Sequence, residues 1–278
     1  MKNERGYSIG EVSKICGLSK KALRHYDKLG IIKPDRVCGN NYRYYSQKTM
    51  LAVPVIKYYK QMGFKLTEMR EVIESGDYRI LKESFKSKIE ELRQVEEEIS
   101  RNYTSVKDWY ELVVEAESVL HYHVNDVSVK FVEDAAYCFF DQGFAYDYRD
   151  SIINIEFTNY IESISNEITG PVIIKFPCYK EKMEGNCKNI TVLQRAIRPL
   201  HSEQKAYFGG RVMVSSYHIG SHERINETYE RICSWAAKRG YTLEPEVYER
   251  YVVDYWSSED SDKFVTEVLM YIQDGQTS

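Results

Sequence analysis

One acidic residue near the end of the chain lies among rings and valines on one face of a predicted strand. If residues 247–256 are extended, side chains alternate between two faces, and Glu249 shares its face with Tyr251 and Tyr255. A buried carboxylate is unfavourable unless a cation or hydrogen-bond donors meet it, and aromatic rings attract the same cation. The pattern predicts a receptor for a large, flat, lipophilic cation. Periodicity leaves open the alternative of an exposed glutamate, or of one paired with a nearby Lys or Arg.

Tyrosine is the residue type that would supply the rest of such a receptor. The chain has 24 tyrosines, and fourteen of them follow residue 120. A cluster of rings is therefore expected in the second half of the chain. By composition and position, the further candidates are Tyr137, Tyr148, Tyr160 and Tyr179.

Catalytic and metal-binding patterns are missing from the sequence. The six cysteines form no Cys-x-x-Cys pair and their closest pair has no histidine nearby, so we expect reduced thiols and neither a metal nor an iron–sulfur site. No catalytic triad, Walker loop or dinucleotide-binding glycine motif occurs. We expect a protein that is not an enzyme and holds no cofactor. A hydrolase in which Glu249 acts as a general base is the enzymatic alternative.

Charge is divided unevenly along the chain, whose net charge is −4. Residues 1–75 carry 15 Lys and Arg against 7 Asp and Glu, a net +8, and the remainder carries −12. A basic segment can neutralise a phosphate backbone and release its counterions, so the first 75 residues have the electrostatics of a nucleic-acid-binding domain. The acidic remainder suits positively charged ligands.

Two short helices and a hairpin are predicted within this basic segment. Ser8 and Ser19 can cap helices that Gly17 and Gly30 terminate, which is a helix-turn-helix arrangement. Two extended runs then turn at residues 39–41, which is typical of a β-hairpin wing, here with a basic and aromatic second arm. The second helix would enter the major groove of DNA, and the wing would contact the sugar-phosphate backbone.

Three segments, Ser8–Lys14, Ala22–Asp27 and Tyr42–Tyr45, resemble the amino-terminal winged helix of MerR-type transcription regulators. The resemblance covers residues 7–75 and implies a second helical pair followed by a dimer helix. One departure is His25, where the family usually has Tyr or Phe, but an imidazole can also meet a phosphate. The predicted DNA-contacting residues are Lys20, Lys21, Arg24, His25, Tyr26, Arg36, Tyr42 and Arg43.

A heptad pattern follows the basic segment. Mostly apolar positions repeat with spacings of three and four from Tyr78 to Leu120, without Pro or Gly, which predicts one long helix. Charged residues crowd the other positions, so pairing with a second copy is favoured over packing on the same chain. A homodimer through residues 78–120 would present two basic heads to two half-sites, and the resemblance implies an antiparallel pair. Lys88 and Asn102 within the stripe would fix its register at a cost in stability.

The rest of the chain repeats an order of strand, helix, strand and strand. This order predicts a pseudo-twofold sheet covered on one side by two helices. The predicted strands are 127–133, 136–141, 171–179, 189–198, 211–219, 247–256 and 263–273, and the predicted helices are 148–165 and 222–239. The predicted fold class is α+β, with a winged-helix domain over residues 1–75, a coiled-coil helix over 76–120 and a ligand-binding domain over 121–278.

Segments Val214–Gly220, Ile225–Trp235 and Glu246–Tyr251 resemble the GyrI-type effector-binding domain attached to drug-sensing MerR regulators of the BmrR kind. The resemblance implies a pocket with a glutamate at the position of Glu249 and an aromatic residue at the position of Tyr217. It therefore agrees with the cation receptor that strand alternation predicts around Glu249.

Together, these features predict a homodimeric, ligand-responsive transcription regulator that activates genes for drug export or detoxification. The family mechanism implied is that the dimer occupies double-stranded promoter DNA with an over-long spacer. When liganded, it bends and untwists this DNA so that RNA polymerase engages both promoter elements. No apolar run resembles a signal peptide or a membrane span, so a cytoplasmic protein is expected. The alternative is a repressor whose second half binds a protein partner.

Overall fold

A computed structural model describes residues 6–39 and 41–273 of the chain. The chain divides into two compact units, one that ends at Glu98 and one that begins at Ile99. Asn40 in the predicted turn of the wing lies outside the described residues, as do residues 1–5 and 274–278 at the ends of the predicted domains. In the described part of the chain, no helix is both long and apolar enough to span a membrane.

The first helix begins and ends at the residues that the capping signals predict. Helix α1 (Ile9–Cys16) follows Ser8, whose hydroxyl accepts a hydrogen bond from the Glu11 N–H, while the Glu11 carboxylate accepts one from the Ser8 N–H at 2.8 Å. Gly17 ends the helix with φ at 63°, a left-handed conformation that glycine adopts without strain. Val12 is buried on the inner face of this helix, whereas the side chain of Ile15, three residues later, is exposed.

The second helix, α2 (Lys20–Lys28), begins after Ser19, whose hydroxyl accepts a hydrogen bond from the Ala22 N–H at 3.0 Å. Its inner face carries Leu23 and Tyr26, and both side chains are buried in the core of the first unit. The opposite face is charged and exposed. Burial of one apolar stripe therefore fixes which side of α2 faces outwards.

The wing is a small antiparallel sheet. It contains β1 (Tyr7–Ser8), β2 (Arg36–Val37) and β3 (Arg43–Tyr45), in the order β1-β3-β2. The predicted hairpin of β2 and β3 is present, and β1 adds the chain entering α1 to its other edge. Three more helices complete the unit: α3 (Gln47–Met50), α4 (Ala52–Gln61) and α5 (Leu66–Ser75).

The predicted long helix is present as α6 (Tyr78–Tyr122), with 45 residues. The first turns of its heptad stripe pack against the amino-terminal unit. Phe85 makes an edge contact with Phe64, and Lys88 is buried, with its Nζ 3.1 Å from Glu68 and 2.6 Å from Glu91. The proposed role of Lys88 in fixing a dimer register is therefore wrong, because carboxylates of its own unit already bind its ammonium group.

The last turns of α6 pack against the carboxy-terminal unit. Leu112, Ala116 and Val119 are buried against Val252 and Val265. Of the stripe itself, Ala116 is buried here and Trp109 and Leu120 are partly buried, so the prediction that the whole stripe faces a partner is wrong at these positions. The apolar stripe positions left exposed after Lys88 are Leu92, Val95, Ile99, Val106 and Val113.

The carboxy-terminal unit is built on one antiparallel eight-stranded sheet. Its strands are β4 (Ser128–Val132), β5 (Ala135–Gly143), β6 (Ile168–Phe176), β7 (Asn189–Ala196), β8 (Lys205–Phe208), β9 (Arg211–Ile219), β10 (Leu243–Val253) and β11 (Val265–Ile272). Their order is β4-β9-β11-β10-β6-β7-β5-β8. The helices of this unit are α7 (Tyr148–Ile152), α8 (Ile155–Ser163), α9 (Tyr179–Met183) and α10 (Asn226–Lys238).

The strand order confirms the predicted internal repeat and refines it. Strands β4 to β7 correspond to β8 to β11, with β6 and β10 paired at the centre of the sheet. The first strand of each repeat crosses to the other repeat, since β4 pairs with β9 and β8 pairs with β5. This exchange joins the two halves into a single sheet.

Several predicted details of this unit are wrong, and two of its elements were not predicted. The predicted helix 148–165 is two helices, because Asn154 starts a new one by accepting a hydrogen bond from the Phe157 N–H at 2.8 Å. Strand β10 ends at Val253, before the predicted end of the strand at residue 256. Strand β8 and helix α9 were not predicted. The sheet is also not covered on one side only, since the end of α6 packs on the face opposite to α8 and α10.

Candidate functional site

Four of the predicted DNA-contacting residues lie on the outer surface of α2. Lys20, Lys21, Arg24 and His25 are exposed. Tyr26 lies on the inner face of the same helix and is only 3% exposed. The prediction of a DNA contact through Tyr26 is therefore corrected, because its ring supports α2 from within the core.

The wing carries the other predicted contacts. Arg36 is exposed, with its guanidinium 5.0 Å from the centre of the Tyr44 ring, and Tyr42 is 58% exposed. Arg43 is three-quarters buried, and its Nε donates to the Asp27 carboxylate at 2.7 Å. Arg43 thus joins the wing to α2, a structural role that the sequence did not indicate.

Glu249 lies at the centre of the carboxy-terminal sheet and is fully buried. Strand β10 pairs on both sides, so that Glu249 is flanked by Ile174 on one side and Val268 on the other. Two tyrosine hydroxyls donate to its carboxylate, that of Tyr229 at 2.6 Å and that of Tyr251 at 2.5 Å. Burial and the charge of Glu249 raise the pKa of both tyrosines well above the usual value, so both stay protonated donors.

A cation already faces this carboxylate. The Nζ of Lys182, from α9, lies 3.3 Å from the Glu249 carboxylate, and Lys182 is 2% exposed. The same ammonium lies 5.1 Å from the ring centre of Tyr229 and 5.2 Å from those of Tyr148 and Phe176. We call the four residues that surround this ammonium group the Glu249 cage: Glu249, Tyr148, Phe176 and Tyr229. Glu249 is therefore paired with a lysine of the same chain, which is the alternative that periodicity left open, and the receptor for a lipophilic cation stays a prediction.

An aromatic nest adjoins the cage. The His222 ring stacks on Phe264 at 5.2 Å and meets the edge of Tyr251 at 5.1 Å and the tilted ring of Tyr148 at 5.3 Å. Burial lowers the pKa of His222 to about 4, so the imidazole is neutral. Within the described part of the chain, neither ring nitrogen of His222 has a hydrogen-bond partner. The nest thus holds unused hydrogen-bonding capacity next to a buried ion pair.

The predicted ring candidates divide between the two faces of the sheet. Tyr251 and Tyr148 lie at the cage, whereas Tyr160 and Tyr179 pack at the edge of the same core. Tyr137 packs with Tyr248, which alternation puts on the face opposite to Glu249. The prediction of Tyr137 as a pocket ring is therefore wrong.

Tyr217 also lies on the opposite face. It is the register partner of Glu267, which in turn pairs with Arg250, the neighbour of Glu249 in β10. Its hydroxyl donates to Glu115 of α6 at 2.7 Å. The pocket role that the resemblance implied for Tyr217 does not fit this position, because the sheet separates it from Glu249.

On this opposite face, a charge network joins the sheet to α6. Arg250 binds Glu267 at 2.9 Å and also forms an ion pair with Glu115, and Lys130 forms an ion pair with Glu267. Arg250 and Glu249 are consecutive residues of β10. This strand therefore carries both the acid of the cage and the arginine that binds Glu115 of α6.

Sequence reasoning missed Lys182, Tyr229 and His222. Tyr229 follows Ile225 and precedes Ile232 on the apolar face of α10, a spacing that could have identified it as buried beside the sheet. Lys182 lies in a short helix within a charged segment, where no local pattern distinguishes a buried lysine from an exposed one. Only the folded sheet brings it to Glu249.

Two family models match the chain. Residues 7–76 match the model described as MerR HTH family regulatory protein. Residues 189–273 match the model described as GyrI-like small molecule binding domain. The first match thus covers the amino-terminal helices and wing, and the second covers strands β7 to β11, including Glu249 on β10.

Known proteins resemble the chain over different lengths. It is 22% identical to the multidrug-efflux transporter 2 regulator of Bacillus subtilis (strain 168), over 96% of this chain and 97% of that protein. It is 31% identical to the mercuric resistance operon regulatory protein of Bacillus cereus, over 38% of this chain and 91% of that protein. A solved cryo-EM structure, described as an EcmrR-DNA complex in EcmrR-RPo, aligns 96% of this chain with 99% of that chain, at 17% identity and a TM-score of 0.44.

Proposed function

This chain belongs to the MerR family of helix-turn-helix regulatory proteins and carries a GyrI-like small molecule binding domain, and we propose that it is a homodimeric transcription activator that responds to a lipophilic cation. Its partners in this proposal are pseudo-palindromic promoter DNA and RNA polymerase. The exposed basic face of α2 and the wing would bind the DNA. The exposed apolar positions between Leu92 and Val106 of α6 would form part of the dimer interface.

The Glu249 cage is the observation that carries the ligand proposal. Its carboxylate accepts two tyrosine hydroxyls and faces an ammonium group among three rings. Carboxylate and ring faces together favour a cation on an apolar stem, and Lys182 has that chemistry. A ligand that binds here must replace the Lys182 ammonium and satisfy Glu249 in its place. The neutral imidazole of His222, whose nitrogens have no hydrogen-bond partner among residues 6–39 and 41–273, offers a further polar contact for it.

Replacement of Lys182 would require movement of helix α9. This helix has five residues and connects β6 to β7, so a shift of one short connection could withdraw the ammonium from the cage. The ligand acts as an effector only if it binds the shifted state more tightly than the resting state. We propose that the difference is carried to α6 through β10, where Arg250 next to Glu249 holds Glu115.

The ligand proposal is tested by binding of thioflavin T, a flat dye with a permanent positive charge. We compare the unchanged chain with Lys182→Met, which removes the competing ammonium, and with Lys182→Met combined with Glu249→Gln, which removes both charges. The expected dye affinity rises about tenfold or more in the single variant and falls below that of the unchanged chain in the double variant. Fluorescence titration of the full chain measures both changes.

A matched control separates the role of charge from the role of apolar surface. The uncharged analogue 2-phenylbenzothiazole should compete weakly with the dye and should not distinguish the single from the double variant. Equal thioflavin T affinity in all three chains would overturn the assignment of the ligand site to the Glu249 cage. It would leave the family membership and the DNA-binding unit untouched.

The DNA-binding face is tested by the salt dependence of binding. A plot of log K against log salt concentration has a negative slope, and each lost phosphate contact reduces the magnitude of this slope by about 0.9. Arg24→Ala should therefore weaken binding to a duplex and reduce the slope by about one. Lys238→Ala removes an exposed charge from the last turn of α10 and should change neither quantity. Fluorescence anisotropy on a labelled mixed-sequence duplex measures the slopes, and an unchanged slope in Arg24→Ala would exclude that contact.

A further inference from the structure

A small cavity lies in the carboxy-terminal unit at the end of strand β10. Its volume is about 180 Å³, and none of the residues of the Glu249 cage lines it. Its apolar walls include Trp109 of α6, Ile152 of α7, Phe157 of α8 and Trp256, three residues after β10. Cavities for drug-sized ligands measure about 300–1,000 Å³. This one therefore suits a molecule of one or two rings.

Asp254 is the charged residue in this lining, and it is 1% exposed. Its carboxylate accepts a hydrogen bond from the backbone N–H of Trp256 at 3.2 Å. Among the described residues, no Lys or Arg forms an ion pair with it. Burial raises the pKa of this carboxyl to about 6, so it carries a charge at neutral pH. Unlike Glu249, it is a buried acid to which the described residues supply no cation.

The other polar side chains of the lining have partners of their own. The amide oxygen of Asn154 accepts the Phe157 N–H at 2.8 Å, and the Thr158 hydroxyl donates to the Asn154 carbonyl at 2.8 Å. The Gln194 amide donates to the Gly170 carbonyl at 2.8 Å. The carboxylate of Asp254 is therefore the group with free acceptor capacity, surrounded by an apolar wall.

Two tryptophans from different elements meet at this wall. The rings of Trp109 and Trp256 make an edge contact, with their centres 4.6 Å apart. Tryptophan is the aromatic side chain whose ring face attracts a cation most strongly. A buried acid and two such rings around a bicyclic-sized space are the elements of a site for a flat organic cation.

We propose that this cavity, lined by Trp109, Trp256 and Asp254, is a second binding site, for a flat organic cation of one or two rings such as an N-alkylated quinolinium. The site is independent of the Glu249 cage, whose acid already has a cationic partner. Its occupant contacts the long helix α6 directly through Trp109. It thus reaches α6 without any movement of Lys182.

The chain provides its own optical probe for this site. It contains three tryptophans, and the third, Trp235, stacks on Tyr241 and does not line the cavity. In a Trp235→Phe background, the tryptophan fluorescence, excited at a wavelength that tyrosine does not absorb, therefore reports only on Trp109 and Trp256. We titrate this full-length chain with 1-methylquinolinium at pH 8. A saturable quench is expected.

Asp254→Asn tests the contribution of the carboxylate. The Asn amide oxygen can still accept the Trp256 N–H, so the variant should fold, and affinity for 1-methylquinolinium should fall about tenfold or more. Asp262→Asn removes one exposed negative charge nearby in the sequence and should leave the affinity unchanged. Quinoline, which has a similar shape and is neutral at pH 8, should bind correspondingly more weakly.

The outcomes separate this site from the cage. An affinity that is the same in Asp254→Asn as in its parent chain, or a quench that does not saturate, would overturn the second site. Loss of binding in the Lys182→Met and Glu249→Gln double variant, with Asp254→Asn unaffected, would instead assign the quinolinium to the Glu249 cage. That result would overturn this inference and would leave the proposed function standing.

Discussion

Replacing Lys182 by Met is expected to lower the free energy of unfolding by about 3–5 kcal/mol, because it leaves the buried carboxylate of Glu249 without a cation. Glu249 is fully buried, and Lys182 is the cation that binds it at 3.3 Å. The two tyrosine hydroxyls would remain as donors, but they bring no positive charge. Met matches the length and apolar stem of lysine, so the loss reports the charge and not the packing.

Urea unfolding of the full chain, followed by fluorescence, measures this loss. Adding Glu249→Gln to Lys182→Met should recover most of it, since a neutral pair replaces an unpaired charge. If the double variant is no more stable than Lys182→Met, the two residues are not coupled, and the ion pair is not the reason for the lysine's burial. The same two variants supply the dye-binding test, so their folding is checked before their ligand affinity is interpreted.

The second large effect is expected from Asp254→Asn, which should stabilise the protein at neutral pH. The pKa of Asp254 is raised to about 6 by burial, above its ordinary value of 3.8. Asp254 therefore ionises less readily in the folded state than in the unfolded state. The resulting loss of folding stability grows as the pH rises from about 4 to about 6. Above pH 6 the full difference applies, about 3 kcal/mol at 1.36 kcal/mol for each pKa unit. Asn cannot ionise, so the variant avoids this penalty.

The pH dependence distinguishes this explanation from a packing effect. Unfolding of the unchanged chain and of Asp254→Asn is compared from pH 4 to pH 8, with Asp262→Asn as the exposed control. The gain in stability should be absent near pH 4 and complete by pH 7. A constant gain across this range would show that the carboxylate is not the destabilising group. A bound cation should reduce the gain, because it neutralises Asp254 in the unchanged chain.

Much of the fold follows from local signals. Ser8, Gly17 and Ser19 mark helix ends, because capping depends only on backbone groups a few residues away. The heptad spacing of apolar residues is a local signal of the same kind, and it marks α6. Strand alternation put Glu249 with Tyr251, and both lie on that face because successive side chains of a strand must point to opposite sides. The repeated order of elements likewise predicted the internal symmetry of the sheet.

Contacts between distant segments were not accessible in this way. Arg43 binds Asp27, and Lys88 binds Glu68, because the fold brings separate helices and the wing together. Tyr217 and Tyr137 carry the right chemistry for a cation receptor, but the sheet order puts both on the opposite face from Glu249. Alternation shows which residues of one strand share a face. Whether that face is the one that carries Glu249 depends on the register between neighbouring strands, which is a property of the whole sheet.

The sequence by itself thus determined a basic winged helix, a long helix and an acid among rings, since each depends on capping, period or alternation within a few residues. Tertiary structure decided what meets that acid. Glu249 faces Lys182, a lysine with no local pattern of burial, whereas Asp254 shares a cavity with two tryptophans and has no cationic partner in the part of the chain that the structure describes. The reason is electrostatic: the environment of a buried charge is set by the segments that pack around it, and these come from distant parts of the chain.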